Sequence, residues 1–198
     1  MKLTKIDAAD AHIRTAVRMF FEGGHPAPSF MLANAAREIV EQVGGHMKVQ
    51  TIQEKLAADR GLTVDELLRP LKTIANFLKH ADRDPTATIE IEESEIVKVL
   101  QLACQDFGRT AGGMSIEAQV YEAWATVIAF RKVSDAPLRR EEMMRRMIAD
   151  FFPGIRSASD SERRTIGLKA LERALQDPSL QMAFSREVAL PTKSTESD

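Results

Sequence analysis

The sequence predicts an all-α fold, a single multi-helix bundle of about seven or eight helices. Apolar residues recur at i, i+3, i+4 and i+7 through most of the chain, and glycine or proline separates these runs. Only residues 86–92, Thr-Ala-Thr-Ile-Glu-Ile-Glu, alternate as a strand would. A lone strand has no partner, so this segment is expected to be an extended loop.

Helix one is expected over residues 7–22, with Ile13, Ala16, Val17, Phe20 and Phe21 inward and Gly23-Gly24 as a left-handed cap. His25-Pro26-Ala27-Pro28 reads as a stiff, extended connector, after which Ser29 caps helix two. Its stripe is Leu32, Ala35, Ala36, Ile39, Val40 and Val43, and Gly44-Gly45 is its expected end. A short helix over 51–60 places Ile52, Leu56 and Ala57 inward, and Gly61 stops it.

Thr63 and Glu66 form a capping box, each able to satisfy the other's backbone amide. The helix that follows carries Leu67, Leu68, Leu71, Ile74, Ala75 and Leu78 on one face. Pro70 removes one helical hydrogen bond, so a kink or a later start is expected near 66–70. Pro85 disfavours helical geometry at Asp84, so the helix should stop at about 81–83.

Helix five (94–109) carries Ile96, Val99, Leu100, Ala103 and Phe107. Ser115 opens helix six, with Ala118, Tyr121, Trp124, Ala125 and Ile128 as its face. Helix seven follows Pro137 and contains Met143, Met144, Met147, Ile148, Phe151 and Phe152; core packing is the plainer reading of this stripe, and a homodimer contact the other. Helix eight (160–176) offers Ile166, Leu168, Leu171 and Leu175. One helical domain is expected over 1–185 and a disordered C-terminal tail over 186–198.

With 198 residues, 44% of them hydrophobic, the chain is long enough to bury a substantial core. A net charge of −2 gives no overall attraction to nucleic acid or to an anionic membrane. The single cysteine, Cys104, rules out an internal disulfide and sits among apolar neighbours as an inert thiol. There is no secretory signal pattern and no run of about 20 apolar residues, so a soluble cytoplasmic protein is expected.

The densest polar chemistry is Asn76-Phe77-Leu78-Lys79-His80-Ala81-Asp82-Arg83-Asp84-Pro85. Asn76, Lys79, His80, Asp82, Arg83 and Asp84 are its candidate binding residues. Counted from Asp82 as the first position of a calcium loop, Asp84 is third, Thr86 fifth, Ile89 eighth and Glu93 twelfth. Asp82, Asp84 and Glu93 are therefore candidate metal ligands, although Ala87 stands where the sharp turn needs glycine. The plainer reading, and the favoured one, is a helix stop in which Asp82 and Asp84 cap amides and Lys79 and Arg83 pair with carboxylates.

Leu56-Ala57-Ala58 and Gly61 also suggest a helix-turn-helix, but Pro70 would fall inside its recognition helix and Asp65 and Glu66 would face phosphates. Glu141 to Arg145 and Glu142 to Arg146 are favourable i,i+4 pairs, so the arginines there read as a solvated face.

Phe20-Phe21-Glu22-Gly23, Pro26, the alanine-rich second helix and the stretch 76–85 resemble a group of bacterial helical proteins of unassigned activity, over residues 10–152. That resemblance implies a helical fold and a bacterial source. Residues 76–80 also bear a faint likeness to HEPN helical domains, which implies an RNA- or nucleotide-directed site at His80, Asp82 and Asp84. Their catalytic pattern places an arginine four to six residues before the histidine, whereas the nearest upstream arginine here is Arg69, so no catalytic residue carries over. The leading expectation is a non-enzymatic binding or regulatory protein acting through helix faces, with no cofactor and with a protein partner or a second copy of itself.

Overall fold

The computed structural model describes residues 2–80, 82, 84–130 and 138–177. Among these there are eight helices and no strand: α1 (Lys5–Phe21), α2 (Pro26–Met47), α3 (Ile52–Asp59), α4 (Val64–Lys79), α5 (Glu93–Ala111), α6 (Ile116–Phe130), α7 (Leu138–Phe151) and α8 (Asp160–Gln176). The expected all-α bundle is what the chain forms. Residues 87–92 have no regular structure, as expected for a strand-like segment without a partner. The C-terminal tail lies outside the described residues.

Capping boxes start four helices where a Thr or Ser precedes an acidic residue by three positions: Thr4 with Asp7, Thr51 with Glu54, Thr63 with Glu66 and Ser159 with Glu162. α4 is continuous from Val64, so it does not begin at Pro70, which sits inside it and leaves the Glu66 carbonyl without its helical donor.

The start and end of α2 depart from expectation. Pro26 and Pro28 lie in its first turn, where a missing amide costs nothing, and His25 Nδ1 accepts from the Ala27 amide at 3.2 Å. Ser29 is therefore inside the helix, buried, donating to the Ala16 carbonyl at 3.0 Å. Gly44-Gly45 does not end α2, which runs on to Met47 and is capped by Lys48 at φ 58°. A Cβ at Gly44 would lie 3.1 Å from Thr110 Oγ1, so this glycine permits a close approach of α2 to α5.

α2 packs most extensively against α1 and α5, and α6 and α8 close the other side. The core joins Ile13, Val17, Phe30, Val40, Leu68, Leu71, Val99, Leu100 and Leu171 with an aromatic cluster of Phe20, Phe21, Tyr121 and Trp124. Trp124 Nε1 donates to the Arg163 carbonyl at 2.9 Å, tying α6 to the start of α8. Of the stripe expected in α7, Phe152, just beyond the helix, is buried and Phe151 exposed, while the side chains of Met143, Met144 and Met147 lie outside those described.

Candidate functional site

Helix α3 has only eight residues, too few to be stable alone, so its position depends on contacts from α2 and α5. Asp106 on α5 accepts from the Ile52 amide at 2.5 Å, adding a carboxylate to the positive end of the helix. Arg109, one turn further along α5, donates to the Gln50 carbonyl at 2.8 Å. From α2, Arg37 Nη1 donates to Gln53 Oε1 at 3.1 Å and to Glu41 Oε2 at 2.9 Å. Arg37, Gln53 and Asp106 are each at most 1% exposed. Burial pushes the Asp106 carboxyl up to about 6, against the Ile52 hydrogen bond and the charges of Arg109 and Arg37, which pull it down.

Fixed in this way, α3 forms one wall of a groove of about 730 Å³ between α3, α4 and α5. Its floor is apolar: Leu68, Leu71 and Leu102 are buried, and Ile52, Leu56 and Leu67 half-buried. Its rim is polar. Glu95, Lys98, Gln101 and Gln105 line the α5 side, and Lys55, Asp59 and Arg60 the α3 side. From Glu95 to Gln105 the α5 rim is about 15 Å long at the helical rise per residue. The volume falls in the range of ligand-binding clefts.

A second buried polar group joins α1 to α6. Glu117, 1% exposed, accepts from Arg18 Nη2 at 2.7 Å and from Arg14 Nε at 3.2 Å. Burial pushes this carboxyl up, but the Arg18 bond, its own amide and Arg14 together hold it below its usual value. Glu122, half-buried, accepts from Gln105 Nε2 at 2.8 Å, and burial raises its carboxyl to about 7. Cys104 is fully buried, which pushes its thiol well above the ordinary range and leaves no nucleophilic thiolate at neutral pH.

The sequence-predicted residues lie elsewhere, where α4 runs into the loop. His80 is the C-cap residue of α4, its amide donating to the Asn76 carbonyl at 3.0 Å. Its Nδ1 lies 3.9 Å from Asp82 Oδ1, with the two side chains 41% and 80% exposed. Lys79 reaches Glu38 at 3.6 Å, and Asp84 Oδ1 accepts from Thr86 Oγ1 at 3.3 Å. Asn76 is exposed, and Arg83 lies outside the described residues. Glu93, the twelfth position of the calcium-loop count, pairs instead with Arg164 of α8. Among the described residues, no group of three or more His, Cys, Asp and Glu side chains could hold a metal ion. Nor is any helix there long and apolar enough to cross a membrane.

Sequence reasoning missed Arg37, Gln53 and Asp106. The available signal was a charged residue on an apolar face: Arg37 falls among Ala33, Ala36 and Val40, and Asp106 beside Ala103 and Phe107.

Comparison of the chain with protein-family models, with curated proteins and with solved structures returns no match in any of the three.

Proposed function

We propose that this chain is a non-enzymatic binding module of the cytoplasm that recognises a partner protein through the groove between α3, α4 and α5. The groove itself carries this reading: an apolar floor within a polar rim, held open by a short helix whose first turn is pinned from two sides. Recognition of a helix laid into an apolar groove needs such a trough and anchors at i, i+3, i+4 and i+7 on the partner. Exposed and outside the groove lining, His80, Asp82 and Asp84 offer less for enclosing a ligand.

The test is fluorescence anisotropy of labelled amphipathic peptides bearing leucine at i, i+3, i+4 and i+7, with wild type and with Leu67→Glu. Leu67 is half-buried in the groove, so a glutamate there can reach water without unfolding α4. Binding that is lost in Leu67→Glu, with thermal unfolding little changed, is the expected result. Failure of every such peptide to bind wild type would overturn the proposal.

A further inference from the structure

The groove's rim carries an unbalanced charge. Lys55, Arg60 and Lys98 are all exposed around it, and none makes an ion pair among the described residues. Of the two carboxylates on the rim, Glu95 is already engaged, accepting from the Glu92 amide at 3.1 Å as part of the α5 cap. Glu95 keeps its charge in that bond, so Lys55, Arg60 and Lys98 against Asp59 and Glu95 leave the rim with one net positive charge. Elsewhere some exposed cations are paired, as Lys72 is with Asp65 at 2.5 Å and Lys79 with Glu38 at 3.6 Å. Others, such as Lys5, Lys48 and Lys169, make no ion pair among the described residues. What marks the groove is that three unpaired cations gather on one rim. On a chain with net charge −2, the groove is a local patch of the opposite sign.

Resting on the groove reading above, we propose that its occupant is an acidic amphipathic helix of a partner protein. The partner's apolar stripe lies on Leu56, Leu67, Leu71 and Leu102, and its Asp or Glu residues flank the stripe to meet Lys55, Arg60 and Lys98. A trough about 15 Å long along α5 matches nearly three turns of helix. Cations at the edges leave the partner's carboxylates partly in water, where each pair is worth little alone but selects the sign of the partner. Because the whole chain is negative, non-specific attraction favours a basic peptide. A preference for an acidic one can therefore come only from the local rim.

Two labelled peptides test this, identical in their leucine stripe, one flanked by glutamate and the other by lysine. Each is titrated into the full chain and into the Lys55→Glu/Arg60→Glu/Lys98→Glu variant, at low and at high salt. The expected result is binding of the acidic peptide to wild type about tenfold tighter than the basic one, about 1.4 kcal/mol. The preference reverses in the variant and shrinks with salt. All three substituted residues are exposed, so the variant retains the core. Equal binding of both peptides, abolished by Leu67→Glu, would overturn the charge inference and leave the groove reading standing. If neither peptide binds wild type, both fall.

Discussion

Replacement of Asp106 by asparagine isolates the cost of a carboxylate at the foot of α3. Asparagine keeps the acceptor for the Ile52 amide, now 2.5 Å from Asp106 Oδ1, and cannot ionise. Burial raises the folded-state carboxyl from 3.8 to about 6, so between these values the native state holds its proton more tightly than the unfolded chain. The sign follows from linkage: the carboxyl's contribution is fully present below about pH 4 and is lost as pH rises through about 6. At about 1.4 kcal/mol per pH unit of displacement, the full effect is about 3 kcal/mol. Of this, wild type should lose about 2.5 kcal/mol relative to Asp106→Asn between pH 4 and pH 7, because the unfolded carboxyl is already more than half ionised at pH 4. Asparagine's different hydrogen bonding adds an offset that does not vary with pH, so the slope of the difference is the measured quantity. Urea unfolding at a series of pH values, followed by fluorescence of the single tryptophan, Trp124, supplies it. A flat difference would mean that Asp106 is not buried against α3. A difference of opposite slope would mean that Arg37 and Arg109 outweigh burial.

Gly167→Ala sets helix propensity against packing. Alanine is favoured by about 1 kcal/mol within a helix, but its Cβ would lie 2.3 Å from Phe21 Cε1, in a ring held by Phe20, Tyr121 and Trp124. Overpacking of about 1–3 kcal/mol exceeds that gain, so thermal unfolding should move down by a few degrees; an upward shift would contradict the contact. Cys104 should resist a thiol-specific disulfide reagent in the native protein and react once it is unfolded, and rapid native reaction would place it outside the core. The His80→Ala/Asp82→Ala/Asp84→Ala variant should change unfolding free energy by less than about 0.5 kcal/mol, because these side chains are exposed and their contacts weak. A loss of several times that size would mark the loop as a structural lock.

Helices were legible where local rules and tertiary packing agree. The box of Thr63 and Glu66 and the Leu68, Leu71, Ile74 stripe define α4, and α8 spans the expected residues 160–176. Legibility failed where tertiary contacts override local signals. Gly44-Gly45 reads as a stop, yet the helix continues because Gly44 lies beneath Thr110 of α5. The stripe assigned to α2 was rotated, because Arg37 looks like a surface residue until Gln53 and Glu41 are known to meet it. The groove was harder still. Ile52, Leu56 and Leu67 were visible as apolar positions of two helices, but periodicity does not say that one face remains uncovered. The stretch 76–85 drew notice by composition, and composition does not distinguish an enclosed polar site from an exposed helix end.

The most direct test of the groove is a map of backbone amide shifts when the leucine-striped acidic peptide is added to the isotope-labelled full chain. The account predicts perturbations concentrated at α3, the first half of α4 and the outer face of α5 from Glu95 to Gln105, absent in Leu67→Glu. Perturbations centred instead on residues 76–86, or on the surface of α7 and α8, would contradict it.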